Sequence, residues 1–235
     1  MLTVGFIYGL KHATEVDHIV AVSTILSEHK RLGRAAIIGG LWGAGHTASL
    51  VAVGIVVLGL RIAIPESVAS WLEFSVAVMI IGLGVAAFRS ALRRRADVHI
   101  HRHSHGDKSH AHIHFHEPGH VERLSRNHSH SVATVGLKPA LVGAMHGLAG
   151  SGALTLLVLT QIKSTLLGLV YLGVFGLGSV FGMVLMSSLL GLPFVFSSRK
   201  LGGLHYGVQM SAGVLSIAFG LWYAYETGVG TGFIR

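Results

Sequence analysis

The chain contains no cysteine. That excludes disulfides, thiolate metal ligands and a cysteine nucleophile, so any metal site must use nitrogen and oxygen donors. It also argues against a thiolate carrier of copper(I). Charge is scarce as well. Of 235 residues 12% are charged and 51% hydrophobic, whereas soluble domains carry about 25% charged residues. The composition is that of a membrane protein. Proline occurs 4 times. No basic stretch precedes the first apolar run and no small-residue cleavage pattern follows it, so the run reads as a retained span and not a signal peptide. There is no Walker motif, hence no ATPase of the chain's own, and no His-Glu-x-x-His run of a metallohydrolase.

What is abundant is glycine, 32 residues, which suits close packing of helices in lipid. Six apolar segments are long enough to cross a bilayer, near 2–27, 35–60, 69–92, 134–160, 164–192 and 204–226. They are continuously apolar, which speaks against a β-barrel. The fold class expected is all-α, a polytopic membrane protein of six transmembrane helices. Fourteen of the 18 basic residues fall in the loops after spans one, three and five or at the span ends beside them, among them Lys30, Arg31, Arg34, Arg93, Arg199 and Lys200. The positive-inside rule sets those loops in the cytoplasm and both termini outside. The net charge of +8 is thus a topology signal, and nucleic acid is not an expected partner.

The first segment contains the run His12-Ala-Thr-Glu-Val-Asp17-His18. An ionisable group at membrane depth costs about 2.5–3.5 kcal/mol on insertion scales. Two imidazoles and a carboxylate together suit a divalent transition metal; a metal-free hydrogen-bond network is the competing reading. On a regular helix Asp17 lies about 140° and His18 about 240° round from His12. All three cannot face one ion unless the helix is unwound, or some of them only orient the others. His46, in Gly43-Ala-Gly-His-Thr-Ala-Ser49, is the fourth candidate ligand. Thr14, Glu15, Thr47, His146 and Ser151 are candidates for orienting ligands or lining the path. Glu73 and His205 read as interfacial, and His29 as solvated.

The segment 93–133 holds 11 of the 17 histidines. Eight form two alternating tracts, His99, His101, His103, His105 and His110, His112, His114, His116. Such tracts read as metal-binding low-complexity sequence in a disordered loop. Around it the halves resemble each other. His12 matches His146 at an offset of 134, Gly40–Gly45 matches Gly173–Gly178 at 133, and Gly84 matches Gly220 at 136. Three spans per half force opposite orientation, the inverted-repeat plan of many secondary transporters. The expected organisation is a first repeat at 1–92, the histidine-rich cytoplasmic loop at 93–133, and a second repeat at 134–235.

The run His12 to His18 resembles the His-x4-Asp-His signature of the nickel/cobalt transporter family. Gly45-His46-Thr47 resembles that family's second motif. Gly143-Ala-Met-His146-Gly-Leu-Ala-Gly150-Ser-Gly-Ala153 looks like the second-half motif of its shorter, UreH-like (HupE–UreH) branch. The resemblance implies a permease for Ni2+ or Co2+, commonly inward for urease or hydrogenase assembly. His12, Asp17, His18 and His46 would form the transport site. No permanent cofactor is implied, since the metal is cargo, and cytoplasmic urease or hydrogenase metallochaperones would be partners. The layout also resembles a related efflux group with six spans and a long cytoplasmic histidine loop, whose first motif ends Pro-Gly-His. Export of the same metals, with the loop as sensor or collector, is therefore the alternative function. An intramembrane metallohydrolase is a remote third.

Overall fold

The computed structural model describes residues 2–29, 31–62, 64–96, 98–105, 108–115, 136–162, 164–200 and 202–230. Each of the six apolar segments is helical. The first is divided into α1 (Leu2–His12) and α2 (Val16–Leu26); the others are α3 (Leu32–Leu60), α4 (Glu66–Ala96), α5 (Lys138–Gln161), α6 (Thr165–Lys200) and α7 (Gly202–Tyr225). A π-helical turn, Glu226–Gly230, follows α7. Helices satisfy every backbone amide and carbonyl internally, which a lipid environment requires. Among the described residues four helical stretches are long and apolar enough to cross a membrane: Leu32–Leu60, Glu66–Arg93, Thr165–Phe196 and Tyr206–Gly228.

The main departures from the expected elements lie in α4, α6 and the segment 93–133. α4 runs on to Ala96, into the segment assigned to the loop. α6 does not stop near 192 but continues through Pro193 to Lys200. Proline removes one intrahelical hydrogen bond there without ending the helix. At 36 residues α6 spans about 54 Å, more than the hydrocarbon core, so it must tilt or project. Within 93–133, where no structure is expected, the described residues include an antiparallel hairpin of β1 (Val98–His105) and β2 (Lys108–Phe115). His116 and the remainder of the loop lie outside the described residues.

The surface is apolar and the interior partly polar. Ile7, Ile55, Leu166, Phe181, Leu185 and Trp222 are exposed, while Ser179, Ser187, Gln209 and Ser216 are buried. That inversion is expected where lipid is the solvent. The core gathers Leu26, Ile38, Trp42, Ile80 and Met183.

α3 packs on α5 and α6, α4 on α7, and α1 on α6. Glycine permits these close approaches. Gly9 lies against the backbone of Phe175 and Ser179 on α6, and Gly143 lies against the backbone of Trp42 on α3. Gly45 meets Ala140, and Gly178 meets Phe6. Gly84 faces Gly213 and Ile217, and Gly220 faces Ala77 and Ile81. A close contact of each pair turns into the other when residues are exchanged at offsets of 133 to 136: Gly9–Phe175 into Gly143–Trp42, Gly45–Ala140 into Gly178–Phe6, and Gly84–Ile217 into Gly220–Ile81.

Candidate metal site

The helix breaks where the sequence argued it should. Ala13, Thr14 and Glu15 separate α1 from α2, and Glu15 has extended backbone, φ −65° and ψ 147°. Thr14 closes the end of α1. Its amide and its Oγ1 donate to the Lys11 carbonyl, at 2.9 and 2.6 Å, and the Glu15 amide donates to His12 at 3.1 Å. Polar side chains that bond locally to backbone carbonyls compete with helix continuation. The C-terminal end of α1, with its partial negative charge, therefore falls beside the site, which favours a cation.

The break brings His12 and His18 together, their ring centroids 4.6 Å apart. His46 on α3 lies 5.0 Å from His12 and 5.4 Å from His18. His146 on α5 lies 4.0 Å from His18. His18, His46 and His146 are buried. His12 is 15% exposed, enough to reach an adjoining cavity.

Carboxylates orient three of the four rings. Asp17 receives His18 Nδ1 at 3.2 Å on Oδ1, along with the His18 backbone amide at 2.9 Å, and His146 Nε2 at 2.7 Å on Oδ2. Glu15 pairs with His12 Nδ1 at 3.0 Å. A neutral imidazole that donates one N–H presents the lone pair of its other nitrogen. His12 and His18 thus each present Nε2, and His146 presents Nδ1. None of these three nitrogens has a hydrogen-bond partner, nor has either nitrogen of His46. Five unpartnered buried nitrogens are costly, on the order of 1–3 kcal/mol each. A cation at their focus would satisfy several at once. The donor atoms of His12, His18 and His46 lie within 4.8 Å of one another, and so do those of Asp17, His18 and His146. The first set is all nitrogen and the second nitrogen and oxygen, and both suit Ni2+, Co2+ or Zn2+.

A cavity of about 540 Å³ reaches the cluster, lined by His12, Glu15, Asp17, His18 and His146 and walled by Glu73, Tyr171 and Tyr223. Its other lining residues come from the last turns of α1 before the break, the first half of α4 and α6, the second half of α3 and the middle of α5. It therefore occupies the half of the bundle nearest the chain ends. On the opposite side the cluster rests on the apolar core of Leu26, Ile38 and Trp42.

Other anticipated residues fall differently. Thr14 serves the turn and Thr47 donates to the Gly176 carbonyl at 3.1 Å, so neither bonds a histidine. Ser151 lies in α5 and His205 in α7, both with side chains outside the described ones. His29 reaches the Ile25 carbonyl at 3.1 Å. Glu73 lines the cavity. Sequence reasoning missed Trp42 and Phe175. Trp42 packs 6.4 Å from His18 and 5.8 Å from His146, and Phe175 lies 5.5 Å from His12. Their signal was present: they occupy the same place in the two matched glycine motifs.

Fold and site together define a helical membrane protein with a buried, carboxylate-oriented histidine cluster at the foot of a cavity. No family model and no solved structure matches the chain significantly. The urease accessory protein UreH of Bacillus sp. (strain TB-90) is 34% identical over 239 residues, spanning all of this chain and 95% of that protein. The chain belongs to the family of the urease accessory protein UreH.

Proposed function

We propose that this protein is a secondary transporter that moves Ni2+ or Co2+ inward across the cytoplasmic membrane, in support of urease maturation. The observation that carries this reading is the convergence of unpartnered nitrogens from His12, His18 and His46 on one point beneath the cavity. The ion is held by these three histidines. Asp17 lies beside them as counter-charge and orients His18 and His146, while Glu15 orients His12. Carboxylate partners that fix the tautomer of a ligating histidine are common in metal sites.

The halves form a three-plus-three inverted repeat with six spans. The reciprocal glycine contacts support it, as does the packing of α3 on α5 and of α1 on α6, which are equivalent under the exchange of halves. With the basic loops in the cytoplasm, the cavity opens outward and Leu26, Ile38 and Trp42 close the inner side. Rocking of one half on the other would expose the site inward. A divalent ion entering a negative interior gains roughly 4.6 kcal/mol per 100 mV, twice the single-charge value.

Uptake of 63Ni2+ into proteoliposomes, with Co2+ and Zn2+ as competitors, tests the reading. Wild type accumulates Ni2+ and His12→Ala does not. Normal uptake by His12→Ala would overturn the site. Direction is read from deletion of the protein in cells on toxic nickel: protection means import, sensitisation means export.

A further inference from the structure

The correspondence between the halves extends along α4 and α7 to two polar residues. On α7, Gln209, Gly213, Ser216 and Gly220 recur every three or four residues and share a face. Gly213 and Gly220 lie against α4, and Ser216 donates to the Ile80 carbonyl at 3.0 Å. Exchanged at the offset of 136, the four become Glu73, Ala77, Ile80 and Gly84, the face that α4 turns to α7. Glu73 and Gln209 are therefore counterparts, yet their surroundings differ. Glu73 lines the cavity, as does Tyr223. Gln209 lies about 21 Å along α7 from Tyr223, at 1.5 Å per residue, in the half of the bundle away from the cavity. It is 0% exposed, and neither its Oε1 nor its Nε2 has a hydrogen-bond partner. A buried amide left unpaired is costly, so packing alone does not account for a glutamine at this position.

The same exchange carries other lining residues of the cavity onto the core. Tyr171 becomes Ile38, Phe175 becomes Trp42, Leu50 becomes Met183 and Val76 becomes Ala212. Ile38, Trp42 and Met183 belong to the apolar core on the opposite side of the cluster, and Ala212 packs against it. When two inverted halves swap conformations, the walls of one cavity become those of the other. We propose that Gln209 is the polar residue of the inward release path, which opens along Ile38, Trp42, Met183 and Ala212. This rests on the inverted repeat and the inward transport proposed above. Opening brings water to the amide that lacks a partner in the closed path. The chemistry of the two counterparts suits one direction of travel. Glu73 offers a carboxylate, which draws a divalent cation into the outer cavity. Gln209 offers a neutral carbonyl oxygen, which passes the ion on without holding it, as conduction requires. Tyr223 in the outer cavity has only Ala87 as its inner counterpart.

Two measurements on the full-length chain test this. The chain has no native cysteine, so a single introduced cysteine reports access. Met183→Cys reacts with a membrane-impermeant maleimide in inverted vesicles, from the cytoplasmic side, and Leu50→Cys reacts in right-side-out vesicles. Ala212→Cys, a smaller change, behaves like Met183→Cys. Uptake of 63Ni2+ is measured for the same variants. Cysteines at 183 and 212 that transport but react from neither side, or only from outside, overturn the path and leave transport standing. Wild type that moves no Ni2+ overturns the transport reading and the path with it. The second measurement is kinetic. In Gln209→Glu a carboxylate holds the ion at the exit, so the maximal rate of uptake falls roughly tenfold while the half-saturating external Ni2+ is unchanged. Gln209→Asn keeps a neutral amide and transports within about twofold of wild type. A wild-type rate for Gln209→Glu, or an equal fall in Gln209→Asn, overturns the role of Gln209.

Discussion

The two halves of the bundle pack alike but carry different polar residues. Gly9 and Gly143 make equivalent contacts, as do Gly45 and Gly178, and Gly84 and Gly220. The polar residues do not follow. Where the first half has His12, Asp17, His18 and His46, the second has His146, Ser151, Gly152 and Ser179 at the matching offsets. The backbone departs as well. α1 and α2 are broken at 13–15, while α5 runs unbroken through the equivalent positions. The shared glycine pattern holds the scaffold, and the substitutions that break the match make the site. A carboxylate and an unwound turn in one half let its histidines converge. The other half supplies one histidine and a smooth wall.

That contrast is sharpest at His46. If the first half carries the ligands, His46→Ala weakens Ni2+ binding by more than about 100-fold, beyond the 10–100-fold that orienting groups cost. Its counterpart Ser179 spends its hydroxyl on the Gly9 carbonyl at 3.2 Å, so Ser179→Ala stays near wild type. Calorimetric titration of the purified protein compares them, and equal losses would break the contrast. Asp17→Asn comes next. One amide oxygen cannot accept from both His18 and His146, so binding weakens by about 10–100-fold while cobalt spectra keep a histidine signature. Acid acts in the same direction on the whole cluster. Neutral imidazole binds metal and protonated imidazole does not, so Ni2+ affinity at pH 5.5 falls below that at pH 7.5. Identical affinities would mean that the ligands are not imidazoles.

The scaffold side of the contrast is tested by stability. Gly9→Val and Gly143→Val each press a side chain into the backbone of the facing helix. Overpacking of this kind costs about 1–3 kcal/mol. Because the contacts are equivalent, the two losses in thermal stability should be similar. A large cost at one glycine and none at the other would end the equivalence of the halves.

Much of this was legible before any coordinates. Hydropathy located the six helical segments because lipid demands long apolar runs. The helical angles between His12, Asp17 and His18 leave two choices, an unwound helix or residues that only orient the others, and the helix is broken at 13–15. Pairings across elements were not legible. His146 and Asp17 are 129 residues apart, and no local pattern says that one donates to the other. For Glu73 only its distance from a span end could be counted; the wall it forms depends on how α4 leans on α7. Thr47 reads from the sequence as a residue that orients a ligand or lines the path, and helix packing hands its hydroxyl to Gly176. The hairpin was missed for another reason. Histidine at every second position was read as composition, when period two next to a Gly-Asp pair is also the signature of two strands and a turn.

The smallest expected effect is at His146, the one histidine the second half contributes. His146 Nε2 satisfies Asp17 Oδ2, and its ring packs on His18 and Trp42. In His146→Ala, Asp17 keeps both bonds from His18, and water from the cavity can reach the freed oxygen. The loss is then about one hydrogen bond, near 1.4 kcal/mol or tenfold in Ni2+ affinity. Transport is a separate matter, because this bond ties the first half to the second. A loss in uptake exceeding the loss in binding would make His146 a coupling residue and sharpen the contrast. A binding loss as deep as that of His46→Ala would mean that the ion sits among Asp17, His18 and His146, a set whose donor atoms are also within 4.8 Å of one another. The site would then bridge the halves, and the second half would be a ligand donor in its own right.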